Sequence, residues 1–412
     1  MRKLINIRIF IFSIVISNFS RQEVLAQTKI TLETTLETAL KNNSNLKNER
    51  LKSDYQKQLI KSAYTIAPTS ILAEYGQINS FYNDAKFGIS QTLNFPSVYS
   101  NQKKLLNEEW KTSVLIVSLK EAELKKAVTH SFYSLLYLNE KQNLLKRSDS
   151  IFAEFLKKSE LRFKKGESNI LEKTTAETQR GTIKMQLLQL LQEKEIAQLQ
   201  FQLLLNDEHT FEPNANSIQL KFSKEIDSTS LSEHPNLRVL AQSKKVAEVN
   251  TKLERAKLLP NFTFGYNNNS FIGNGPDNVF YDKTNRFHSA QIGLGIPLFG
   301  GAQKAKIKAS KTLVAISENE LQNQKKVLNN QYKALLFQQK NNLEKLSYFE
   351  KSALPNAKII EETANKQFYN GDINYLEWTM LINQSIAIKN NFIETVITNN
   401  QTIIELNYLL SK

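Results

Sequence analysis

Between positions 101 and 146 the chain carries no glycine or proline, and Leu115, Leu119, Ala122, Leu124, Val128, Phe132, Leu135 and Leu136 recur at three- and four-residue spacings. That pattern predicts one unbroken amphipathic helix, ~70 Å long at 1.5 Å per residue. Comparable runs occupy about 168–206, 301–353 and 357–410. Four helices of this length fit no compact domain. They need neighbours alongside, as in a coiled coil or a helical barrel. With 12 Gly and 8 Pro in 412 residues, the composition leans the same way.

Two other stretches follow a different period. Residues 71–76 and 85–93, and then 262–266 and 288–296, alternate apolar with small or polar residues. Period two marks strands with one apolar face and one polar or glycine face. Tyr82-Asn83-Asp84 turns the first pair, and a Gly-, Asn- and Pro-bearing loop at about 271–285 joins the second. Four strands do not close a barrel and would leave their edges open. Three chains supply twelve strands, enough to close a barrel around a lumen.

The two halves of the chain also repeat one another. "RFKKGESNILEKTTAETQR" (162–180) and "QFYNGDINYLEWTMLINQS" (367–385) agree, at a shift of 205, at Phe163/Phe368, Gly166/Gly371, Asn169/Asn374, Leu171/Leu376, Glu172/Glu377, Thr174/Thr379 and Gln179/Gln384. Asn45-Leu46 resembles Asn236-Leu237, Pro68 resembles Pro260 and Tyr75 matches Tyr266, at shifts near 191. Each half reads helix, hairpin, long helix, sharp turn, long helix, as a tandem duplication would. The expected organisation is a first repeat over 27–205, a polar linker over 206–235 and a second repeat over 236–412. Glycine at 166 and 371 suits a reversal that needs positive φ.

At the N-terminus, Arg2, Lys3 and Arg8 precede the apolar run 9–16, and Val24-Leu25-Ala26 offers a small-residue exit. This is the layout of a cleaved signal peptide over 1–26. Its removal takes away four basic side chains and one acid, lowering the formal charge from +14 to +11. The lysines are spread along helical faces rather than gathered in one patch, so nucleic acid is not an expected partner. There is no cysteine, hence no disulfide, thiolate metal site or lipidated cysteine. Beyond the leader no apolar run reaches about 18 residues, so a membrane can be entered only as a closed β-barrel.

No enzyme signature is present. His130, His209, His234 and His288 are scattered, with no H-E-x-x-H or G-x-S-x-G. Neither a cofactor nor a metal site is expected; three Met and no Cys offer no soft-ligand path. A soluble periplasmic coiled-coil adaptor is the alternative to a channel. Adaptors carry one helical hairpin among β-rich domains, whereas this chain has two hairpins and four clear strands.

The signal peptide, the duplicated plan and the paired F-x-x-G-x-x-x-x-L-E motifs resemble the TolC-type outer-membrane efflux proteins over essentially the whole mature chain. The resemblance implies a homotrimer, mainly α with a small β part. A twelve-stranded barrel, four strands per chain, would lie in outer-membrane lipid of a Gram-negative bacterium, continued by an α-helical barrel through the periplasm. It implies a passive duct served by a periplasmic adaptor (membrane fusion protein) and an inner-membrane pump, of RND type. It also implies that Phe163, Gly166, Phe368 and Gly371 form helix-to-helix turns at the periplasmic tip, with Glu172 and Glu377 near the mouth. Met380 stands where better-known members carry a second acid, and Ile373 where some carry an arginine. Two readings of each acid remain open: a carboxylate ring at a narrow opening, or an N-terminal helix acid favoured by the dipole.

Overall fold

The computed structural model describes residues 28–222 and 228–411; the expected signal peptide, 1–26, lies outside them. In chain order the elements are β1 (Thr28–Ile30), α1 (Leu32–Asn42), α2 (Ser44–Leu59), β2 (Ser70–Gly76), β3 (Asp84–Leu93), α3 (Pro96–Lys164), α4 (Ile170–Leu205), β4 (Phe211–Pro213) and α5 (Pro235–Ala256). There follow β5 (Asn261–Ser270), β6 (Gly273–Asn274), β7 (Phe280–Tyr281), β8 (Arg286–Gly295), α6 (Gly301–Tyr348), α7 (Leu354–Asn370) and α8 (Tyr375–Leu409). Two compact units result. One takes the described residues up to Asn43 with 124–222 and 335–405; the other takes 44–123, 228–334 and 406–411. Each unit draws on both halves of the sequence.

The first unit is helical, and its buried positions recur every seven residues. On α3 they are Leu138, Leu145, Phe152 and Ser159; on α4, Ala176, Ile183 and Leu190; on α7, Ala357 and Ala364; on α8, Trp378 and Ser385. A seven-residue stride keeps one stripe facing the neighbouring helix and imposes a left-handed supercoil. Continuation of that stride carries α3 to Lys164, 18 residues beyond the run read from the sequence. Residues 211–220 are pinned to this unit. Asn400 is buried on α8, where it accepts from the Leu220 N–H and donates to the Ile218 carbonyl, and β4 pairs in parallel with β1.

The run expected to end at 353 does not end there. A π turn, Phe349–Ala353, joins α6 to α7, with Pro355 in the first turn of α7. Proline has no N–H, and its ring would collide with the carbonyl four residues back. A wider turn relieves both. The buried stripe slips there by one residue: it follows Tyr332, Gln339, Leu346 and Ala353 above the turn, then Ala357, Glu361 and Ala364 below it. The expected single run 357–410 is divided instead at Gly371.

The second unit holds a four-stranded antiparallel sheet, in the order β2-β3-β5-β8. Registers place Ile71, Ile89, Tyr266 and Ala290 in one row, Phe264 beside Ile292 in the next, and Leu93, Phe262 and Leu294 in a third, all on one face. The opposite face carries Leu72 and Phe287 beside small and polar residues: Gly88, Ser90, Thr92, Thr263, Gly265, Asn267, Ser289 and Gly293. On the apolar face Ile71, Phe264, Tyr266, Ile292 and Leu294 are exposed, Ile292 by 78%. A Cβ on Gly88 would stand 2.7 Å from Asn267 Oδ1, so glycine there lets a polar neighbour lie flat across the strand. β5 and β8, ten residues each, have the length of tilted strands that cross a bilayer. No helix among the described residues is long and apolar enough to cross one.

Candidate functional site at the two helix reversals

Both reversals lie in the first unit and are built alike. At the end of α3 the Glu167 N–H reaches the Arg162 carbonyl (2.9 Å) and the Gly166 N–H reaches that of Phe163 (3.1 Å). At the end of α7 the Asp372 N–H reaches the Gln367 carbonyl (2.9 Å) and the Gly371 N–H that of Phe368 (3.3 Å). Each pair, one six-to-one and one five-to-two bond, satisfies orphan carbonyls and requires a left-handed residue after the helix. Gly166 has φ +73° and Gly371 φ +82°. A Cβ would meet no atom at either site, so glycine is demanded by the backbone and not by space.

The following helices start alike too. Asn169 Oδ1 accepts from the Glu172 N–H (3.0 Å), and Asn374 Oδ1 accepts from the N–H groups of Leu376 (2.9 Å) and Glu377 (3.0 Å). Asparagine at this position satisfies donors that a helix leaves free at its start.

Beyond the caps the two sites diverge. Glu172 is 3% exposed, and its carboxylate accepts from Ser159 Oγ (3.3 Å), Arg162 Nη1 (3.2 Å) and Ser168 Oγ. Glu377 is exposed, and Oε2 turns back to accept from the Asn374 N–H (3.0 Å), which closes a reciprocal capping box. Phe163 is exposed, with the Lys173 ammonium 6.0 Å from its ring centre. Phe368 instead joins an aromatic cluster, 5.7 Å from Phe155 and 5.4 Å from Trp378 between ring centres. Trp378 is 4% exposed, packs on Phe152 and Phe155, and donates its indole N–H to Asn365 Oδ1 (2.9 Å).

Above the second reversal a buried acid meets an exposed and a half-buried cation. Glu361 on α7 accepts from Arg147 Nη2 on α3 (2.8 Å), from Lys389 on α8, and from Ser385 Oγ (3.4 Å). Burial pushes the Glu361 carboxyl up, but Lys389 and then Arg147 outweigh it and hold the group below its ordinary value. Tyr369 makes an outer link to α3: its hydroxyl donates to Glu154 (2.9 Å), and the Lys158 ammonium lies 3.9 Å from its ring centre.

All six residues singled out from the sequence thus lie at the two reversals. Sequence reasoning missed Trp378, Phe155, Arg147, Glu361 and Lys389. Glu361 is buried. Its cationic partner on α3 is 214 residues away, so no local spacing marks the pair. Among the described residues no group of three or more His, Asp or Glu is placed to hold a metal ion.

Residues 228–385 match the family model described as outer membrane efflux protein. Comparison with curated proteins gives no match. Among solved structures the fold is similar to the transmembrane channel protein CusC, with a TM-score of 0.78 at 14% identity over 95% of this chain and 95% of that one. It is similar to the Campylobacter jejuni CmeC outer membrane channel, with a TM-score of 0.75 at 15% identity over 92% of this chain and 85% of that one. The open state of the Neisseria gonorrhoeae MtrE outer membrane channel gives a TM-score of 0.72 at 14% identity, over 92% and 88%. The fold is therefore that of the outer-membrane channels. Within that fold, residues 228–385 are the part similar to the outer membrane efflux protein family.

Proposed function

We propose that the protein is a passive outer-membrane duct of a tripartite efflux or secretion system, acting as a homotrimer. The observation that carries this reading is the sheet. One exposed face is apolar, the opposite face is small and polar, and both edge strands are open within the chain. An apolar face of that extent belongs in lipid, a small polar face suits a water-filled lumen, and open edges ask for like neighbours. Three copies close twelve strands around such a lumen. A soluble adaptor would leave the oily face in water, which disfavours that reading.

On this proposal the two halves arose by duplication, over 27–205 and 236–412, and Gly166 and Gly371 turn the hairpins at the periplasmic tip. The exposed Glu377 contributes one carboxylate per chain to the mouth, while Glu172 braces its own hairpin. The tip receives a periplasmic adaptor and an RND-type inner-membrane pump, and the pump selects the cargo. The test is reconstitution of the mature chain in planar bilayers after detergent extraction. A heat-labile trimer with discrete conductance steps is the expected outcome; a water-soluble monomer without conductance would sink it.

A further inference from the structure

The two ends of the sheet differ sharply in charge. At the end where strands meet helices, the stretches 61–69, 94–104, 252–260 and 296–311 carry ten basic side chains against one acid, Glu254. At the other end, 77–83 and 271–285 together carry Asp277, Asp282 and Lys283. Glu254 is already taken by Lys257, at 2.6 Å. Lys304, Lys308 and Lys311 are exposed on α6, and their spacing sets them on one helix face. Lys304 lies in the first turn of α6, where the dipole disfavours a cation, so it does not serve its own helix.

An apolar ledge adjoins these lysines. The exposed row Ile292, Leu294 continues past the strand into Ile296 and Leu298, and Leu298 is 82% and Phe299 97% exposed. Beside the ledge lies an open groove of about 490 Å³, lined by Asn94, Phe95, Lys257, Asn261, Ile296 and Pro297 among others. Lys304 closes on the same place, its Cε 3.9 Å from where a Cβ of Gly300 would stand. Lys103 stands over the Tyr64 ring (5.7 Å), Tyr64 stacks on Tyr99, and the Tyr99 hydroxyl accepts from the Asn94 N–H.

We propose that this basic collar binds the headgroups of anionic phospholipids in the leaflet that faces the helices, with the Ile296–Phe299 ledge against their acyl chains. Charge complementarity and continuity with the apolar sheet face favour this occupant. Membrane-facing lysines attract anionic headgroups strongly enough to select them from a zwitterionic mixture. The proposal rests on the reading of the sheet as membrane-embedded.

The test exchanges the purified full-length protein into an equal mixture of phosphatidylglycerol and phosphatidylethanolamine with identical acyl chains. Retained lipid is then counted by native mass spectrometry, which also reports the assembly. The expected result is about fivefold enrichment of phosphatidylglycerol, one lysine's worth of attraction. It should fall to the ratio of the mixture in K304Q/K308Q/K311Q and persist in K325Q/K326Q, which alters exposed lysines further along α6. Retained lipid without preference in the wild type would overturn the inference and leave the membrane reading standing; no retained lipid at all would overturn both. An unchanged lipid ratio in the triple variant would overturn it too, and a parallel gain in cation preference in planar bilayers would place those lysines on the lumen.

Discussion

The two helix reversals share a sequence motif, a backbone and a capping residue, yet the helices leaving them bury different faces. On α4 the buried stripe begins at Glu172 and continues through Ala176 and Leu190. On α8, allowing for the repeat offset of 205, it begins one position later, at Trp378, and continues through Ile382 and Val396. One residue is about 100° around a helix. That displacement sends Glu172 into its hairpin and leaves Glu377 outside, and it exchanges a half-buried Lys173 for a buried Trp378. The incoming helices do not share the shift, since Phe152/Ala357 and Ser159/Ala364 are buried at the unaltered offset. The shared motif thus fixes where the chain turns. What the turn presents is decided by packing across the hairpin.

The largest expected effect tests the indole. Trp378→Ala should cost about 3–5 kcal/mol, as loss of a large buried aromatic does, whereas Lys173→Ala at the matching position should stay within about 0.5 kcal/mol. Denaturant titration with hydrogen exchange at both turns would check this, and equal losses would break the comparison. Next come the acids. Glu172→Gln should cost about 1.5–3 kcal/mol because its hydrogen bond with Arg162 is charge-assisted. Glu377→Gln should cost only a few tenths, since an amide oxygen still closes the capping box. In planar bilayers only the exposed Glu377→Gln should lower cation preference; a response to Glu172→Gln instead would reverse the assignment of the mouth.

The glycines provide the arm in which the two sites should agree. Gly166→Val and Gly371→Val should each cost about 1–2 kcal/mol from the left-handed backbone alone, impairing export while the trimer persists. Normal export by Gly371→Val would show that the turn does not need that freedom. The smallest effect concerns pH and belongs to the second hairpin. Because the folded Glu361 carboxyl lies below its ordinary value, its contribution is complete above the unfolded value near ~4.3 and fades as pH falls through the lower folded one. Acid titration followed by exchange at α7 should show the loss in the wild type and not in Glu361→Gln.

Much of this was legible in the chain itself. Period two marks strands because alternate residues share a face, and the observed strands extend the expected ones by a few residues at most. The paired glycines mark reversals because few other residues tolerate that backbone. The face buried by α8 was not legible, because Trp378 packs on Phe152 and Phe155, more than 220 positions earlier. The π turn escaped for another reason. Pro355 normally signals a boundary, and only the helices packed alongside hold a helix together through it. The three-residue pairing of β1 with β4 is too short to leave a period.

The open edges of β2 and β8 bear on how the molecule comes to exist. A lone chain in water would offer unpaired backbone along both edges and an oily surface between them, with no disulfide to restrain it. On the proposed reading its sheet has no sheltered form until like neighbours and lipid arrive together, so for this half of the molecule maturation and assembly are one event. Dilution of newly exported chains should then act as a denaturant does, and midpoint temperatures should climb with protein concentration.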